Sequence, residues 1–129
     1  ALSEAPDVRI ILPGGELRLP DRDILGPQAL EMFTAYRADF AIFGAAGIDS
    51  DGALMDFHAP EVRMRQSARN NARQSILVAD RSKFGRLAPA VGGHLAEADM
   101  VVTEARPGAS FATLLDQLGD RLVVTGEET

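Results

Sequence analysis

Apolar residues in this chain come in short runs. Val8–Leu12, Asp39–Phe43, Ile76–Ala79, Met100–Thr103 and Leu122–Val124 are each three to five residues long and rich in strand formers. Between them the apolar spacing changes to a helical one. Ala29, Leu30, Phe33 and Tyr36 follow Gly26-Pro27, a dipeptide suited to opening a helix. Met64, Ala68 and Ala72 form a four-residue row within Pro60–Arg73. Phe111, Leu114, Leu115 and Leu118 stack in a helix over Phe111–Leu118, with Ser110 as its N-cap and Gly119 as its stop. Strands alternating with helices predict an α/β domain: three layers, a mostly parallel sheet holding all five runs, and helices on both faces. Smaller features fit around this frame. Pro13-Gly14-Gly15 is a turn, and Glu16–Leu25 is a hairpin or extended arm about Pro20-Asp21-Arg22-Asp23. Asp49-Ser50-Asp51-Gly52 is a turn, Leu87–Val91 a further short strand, and Gly126–Thr129 a frayed end.

Composition narrows the class. The 129 residues suit one domain with one core, and the 46% apolar and 25% charged content is that of a globular protein. A formal net charge of −6 argues against nucleic-acid binding by this chain itself. Cysteine is absent, which excludes disulfides and thiolate metal sites. No apolar run reaches the roughly 20 residues of a membrane span, and no secretory signal pattern is visible, so a cytoplasmic location is expected. The chain opens Ala1-Leu2-Ser3 without an initiator methionine, and is expected to be a piece of something longer.

Candidate chemistry gathers after the Ile76–Ala79 run. Asp80, Ser82 and Gly85 make a polar turn around Lys83, the sole lysine against twelve arginines. Ligands of open parallel sheets bind at the strands' carboxyl ends, and a lysine there is a point charge suited to a phosphate. Spacing leaves a second reading open, an exposed loop lysine without a ligand. Gly44-Ala45-Ala46-Gly47 lies at the carboxyl end of another strand, where small residues leave room for a ligand or for a close chain crossing. Glu61, Arg65, Arg69 and Arg73 form a charged row on the Pro60–Arg73 helix, with Glu61 and Arg65 able to face the same strand ends. His58 and His94 lack zinc spacing. Asp49–Gly52 lacks the length and terminal glutamate of a calcium loop. Ser67 and Ser75 have no nucleophile-elbow context, and no dinucleotide or P-loop fingerprint occurs. No metal or cofactor is expected. The residues by themselves reach an α/β domain with a polar strand-end cleft that holds an anion.

A resemblance goes further. Gly14-Gly15-Glu16, Asp39 to Asp49, Gly52, Glu61-Val62-Arg63, Asp80-Arg81-Ser82-Lys83-Phe84-Gly85 and Asp99 to Thr103, in this order, resemble the C-terminal effector-sensing domain of DeoR-type bacterial transcriptional regulators. The likeness covers nearly the whole chain and is most specific at Asp-x-Ser-Lys-Phe-Gly. It implies a fold similar to ribose-5-phosphate isomerase. It also implies a phosphorylated small-molecule effector, with glycerol 3-phosphate expected, and operator DNA bound by an N-terminal winged helix-turn-helix outside this chain. That helix-turn-helix and the first part of the sensor domain are expected to precede Ala1, and a homo-oligomer is expected. In the site expected from the residues and the resemblance together, Lys83 contacts the phosphate, and Asp80 and Ser82 fix its turn. Gly44 and Gly47 leave space for the ligand body, Gly14 and Gly15 allow a close approach, and Glu61 accepts from ligand hydroxyls. Arg65 either holds Glu61 ionised or reaches the phosphate.

The isomerase likeness supplies the alternative, an enzyme acting on a phosphorylated sugar. Lys83 and Glu61 match isomerase residues, but the isomerase's Asp-Gly-Ala-Asp reads Phe43-Gly44-Ala45-Ala46 here, and its second lysine has no counterpart. Proton transfer between sugar carbons needs a positioned base and a stabilised enediolate. The expectation is therefore a binding domain without catalysis.

Overall fold

The computed structural model describes Glu4 and residues 6–19 and 23–127. Residues 20–22 of the Pro20–Asp23 turn, and 128–129 of the expected frayed end, lie outside the described residues. The elements are β1 (Glu16–Arg18), β2 (Asp23–Leu25), α1 (Pro27–Ala35), β3 (Ala38–Phe43), β4 (Gly47–Ile48), β5 (Ala53–Asp56), α2 (Ala59–Asn70), β6 (Ala72–Val78), β7 (Ala90–His94), β8 (Met100–Thr103), α3 (Ala112–Leu118) and β9 (Leu122–Val124).

The central sheet runs β3-β6-β8-β9, and all three of its pairings are parallel. Its register follows from burial. Ala41 pairs with Ser75 and Phe43 with Leu77, while Leu77 pairs with Val101. These residues all point to one side, where Leu77 and Val101 are fully buried with Ile48 and Leu95. Leu115 and Leu118 of α3, together with Phe111, complete this core. Phe84 meets Phe111 edge to face at 5.3 Å, tying the segment after β6 to the start of α3. The other side of the same strands carries Phe40, Ile42, Val78, Met100 and Val123, all exposed in this chain, with Ile42 at 71%. An apolar groove of about 310 Å³ continues this surface around β3, between Met32 and Phe33 of α1 and Ala68 of α2.

A small antiparallel sheet, β4-β5-β7, sits beside the core. Its glycines are sized by what they touch. A Cβ on Gly92 would overlap Val62 of α2, so the helix lies directly on β7. The helix begins with Pro60 in its first turn and Glu61 at its positive end. It stops at Asn71, whose backbone N–H and side-chain amide both donate to the Ser67 carbonyl.

Several sequence expectations are corrected. Val8–Leu12 has no regular secondary structure, is exposed, and does not join the central sheet. An apolar run specifies a strand only where a partner strand is present. The Pro60–Arg73 helix ends three residues early, and Arg73 belongs to β6, where it pairs with Asp39 of β3 at 3.1 Å. The Leu87–Val91 strand is displaced to Ala90–His94 and pairs antiparallel with β5. Ser110 lies in a short 3₁₀ turn, so Phe111, not a side-chain cap, precedes α3. The Asp49–Gly52 turn forms as expected, closed by Gly52 N–H donating to Asp49 at 2.9 Å.

Candidate functional site

Two strand ends build the candidate site. At the end of β6 the chain turns sharply, and Asp80 sets the turn. Its carboxylate accepts the Ser82 backbone N–H at 2.9 Å and the Ser82 hydroxyl, and its own carbonyl accepts the Lys83 N–H at 3.0 Å. This is the local side-chain-to-backbone bonding that favours aspartate in turns. The Ser82 hydroxyl, then its amide, then Lys83 hold the Asp80 carboxyl below the usual carboxylate range. The Lys83 ammonium stands 3.6 Å from the Asp80 carboxylate and is about a third exposed. It is aimed by the turn yet remains open to solvent.

At the end of β3, Gly44 packs on β6, a Cβ there lying 3.4 Å from the Val78 carbonyl. Ala46 donates its N–H to Asp56 at 3.0 Å. A Cβ on Gly47 would overlap the Arg86 carbonyl, so residues 84–86 lie hard against β4. Gly85 N–H donates to Ile48 at 2.8 Å, and Gly85 itself has a φ of 85° that favours glycine. The Lys83 turn and the 44–47 loop are thus joined through a direct backbone contact.

The remaining expected site residues sit elsewhere. Glu61 opens α2, but Arg18 of β1 meets it at 2.7 Å while holding both Asp23 oxygens at 2.8 Å. That guanidinium keeps the Asp23 carboxyl below its ordinary range. Arg65 neither holds Glu61 nor faces an open cleft. It is turned inward, paired with Asp56 and donating to the Gly92 carbonyl, and burial pushes its guanidinium below its ordinary range. Gly14 packs near Gln28 of α1, with Gly15 beside it at a φ of 132°. No described contact joins either glycine to Lys83.

Sequence reasoning missed Asp56, Arg18, Arg86 and Glu104. Asp56 ends an apolar strand and is 7% exposed, which makes it the structural anchor of the 44–47 loop. Glu104 follows β8 and accepts the Arg81 N–H at 2.6 Å, which holds its carboxyl low. A groove of about 240 Å³ opens between Asp80, Glu104, Thr103 and Thr125 at the ends of β6, β8 and β9. The 310 Å³ groove is larger but apolar and offers an anion no charge. No group of residues suited to holding a metal occurs among the described residues.

Fold and site together define an α/β domain with polar groups gathered at the carboxyl edge of a parallel sheet. The chain belongs to the DeoR C-terminal sensor domain family, whose profile matches residues 1–105, and the fold is the sugar-phosphate isomerase-like one that the resemblance implied. It is similar to the glycerol-3-phosphate regulon repressor of Escherichia coli, 45% identical over 109 residues, which is 84% of this chain and 43% of that protein. It is 31% identical over 127 residues to the HTH-type transcriptional repressor GlcR of Bacillus subtilis, 98% of this chain and 49% of that protein. It is 30% identical over 123 residues to the HTH-type transcriptional repressor CsqR of Escherichia coli, 95% of this chain and 47% of that protein. The chain therefore spans about half the length of the curated relatives it matches.

Proposed function

We propose that this chain is the sensing part of a bacterial transcriptional repressor. It binds a small phosphorylated metabolite, glycerol 3-phosphate, and that binding controls operator recognition by a helix-turn-helix elsewhere in the same polypeptide. The observation that carries the reading is Lys83, held by the Asp80–Ser82 turn at the carboxyl edge and packed through residues 84–86 onto the glycine-bearing 44–47 loop. The 45% identity to a glycerol-3-phosphate regulon repressor favours this effector. We also propose a two-fold homo-oligomer in the cytoplasm, since palindromic operators match paired subunits. An isomerase is disfavoured. Phe43 and Ala46 stand where two acids would be needed, and the Glu61 carboxylate is already engaged by Arg18.

A ligand that binds only the folded state raises its melting temperature, by about 2.7 kcal/mol of stabilisation at a hundredfold excess over Kd. Thermal melts of the intact protein with glycerol 3-phosphate, ribose 5-phosphate, fructose 6-phosphate and glycerol are expected to show the largest rise with glycerol 3-phosphate and none with glycerol. Equal rises with glycerol and glycerol 3-phosphate would remove the phosphate from the account.

A further inference from the structure

We propose that Arg86 is the second cation of the phosphate site, and that Phe57 positions it. The proposal rests on the reading of this edge as a phosphate site and adds a recognition residue to it. Three observations support it.

The first is placement. Arg86 donates its N–H to the Lys83 carbonyl at 3.3 Å. Its own carbonyl lies so close to Gly47 that no side chain fits there. Arg86 is therefore fixed by its backbone to both halves of the site, the Lys83 turn and the 44–47 loop.

The second is charge. The ion pairs among the described residues engage Arg18, Arg65, Arg69, Arg73, Lys83 and Arg106, and Arg86 is in none of them. A phosphate monoester carries close to two negative charges at neutral pH. Lys83 already faces Asp80, so it cannot balance that charge by itself. A guanidinium outside those ion pairs, tied to the same turn through its backbone, supplies the second charge.

The third is preorganisation. The Arg86 guanidinium lies over the Phe57 ring, 5.2 Å from its centre. Its N–H edges make no hydrogen bond among the described residues and are free to donate. Those edges match two phosphate oxygens side by side, which an ammonium cannot do. Phe57 is 46% exposed, so its ring is open to the guanidinium. It directly follows Asp56, whose carboxylate holds the Ala46 N–H, so the aromatic platform is tied to the same loop as Gly47.

The test is titration of the intact protein with glycerol 3-phosphate and with inorganic phosphate, for wild type, Arg86→Gln, Arg86→Lys, Phe57→Leu, Phe57→Tyr and Lys83→Met. Arg86 and Phe57 are exposed, so the unliganded melting temperatures are expected to match wild type. Arg86→Gln is expected to lose about tenfold to a hundredfold in affinity for glycerol 3-phosphate. Arg86→Lys should restore only part of it, because it keeps the charge without the fork. Phe57→Leu should lose severalfold, and Phe57→Tyr, which keeps the ring, should stay near wild type. If Arg86→Gln binds within twofold of wild type while Lys83→Met is weakened, the role of Arg86 is overturned and the phosphate site stands. If the wild type binds neither probe, the phosphate site fails and this proposal with it.

Discussion

Replacing Arg65 with methionine is expected to destabilise the protein by about 3–5 kcal/mol, although it removes an arginine that its sequence spacing turns towards the strand ends and a ligand. The side chain is 5% exposed and its Asp56 partner 9%. Both of its ends are engaged, one by the Asp56 carboxylate and one by the Gly92 carbonyl. Methionine matches the arginine stem in volume but leaves Asp56 as a buried carboxylate with one remaining described donor, the Ala46 N–H. An uncompensated buried charge is far costlier than an intact pair is stabilising. The double replacement Arg65→Met, Asp56→Leu should recover much of the stability while still loosening the 44–47 loop. Denaturant unfolding of the intact protein measures both. A loss below about 1 kcal/mol for Arg65→Met would contradict the buried pairing.

Gly47→Ala is expected to cost about 1–3 kcal/mol, at the upper end for a single methyl, and to impair ligand binding as well. The added carbon would overlap the Arg86 carbonyl, which is backbone and cannot rotate away. Residues 84–86 would have to move off β4, losing the Gly85-to-Ile48 hydrogen bond and the bridge between Ile48 and Phe84. Ile48 is fully buried and Phe84 packs on the core, so the shift would propagate inward. Gly44→Ala is the control. Its Cβ would stand at a tight but tolerable 3.4 Å from the Val78 carbonyl, so the cost should be smaller. Equal, small losses for both variants would show that residues 84–86 are not held against Gly47.

The central sheet was legible because its strands are short apolar runs of strong β-formers. Ile76–Ala79, Met100–Thr103 and Leu122–Val124 needed only neighbours to pair with, and the core supplied them. The turn at Lys83 was legible for a different reason. Asp80 and Ser82 interact across two residues, so the geometry is written locally. What sequence could not carry was pairing at a distance. Val8–Leu12 has the composition of a strand but lies outside the sheets. The β4-β5-β7 sheet has little β propensity, since Gly47 and Gly92 are there for close packing and Gly93 for its φ of 87°. The charged row of α2 looked uniform, yet Arg65 faces inward because Asp56 waits nine residues earlier, beyond any helical spacing. Glu61 met a partner 43 residues away, Arg18, that no local pattern connects to it. Asn70-Asn71 did hold a usable stop signal, and the apolar row through Ala72 masked it.

Lys83 is the residue expected to hold the effector's phosphate. Calorimetric titration of the intact protein with glycerol 3-phosphate, wild type beside Lys83→Met, tests that most directly. A charge-assisted contact of this kind is worth about 1.5–3 kcal/mol, so the variant should bind about tenfold to a hundredfold more weakly with an unchanged melting temperature. Equal affinity in the two proteins would contradict it, and would leave Lys83 an exposed loop residue without a ligand.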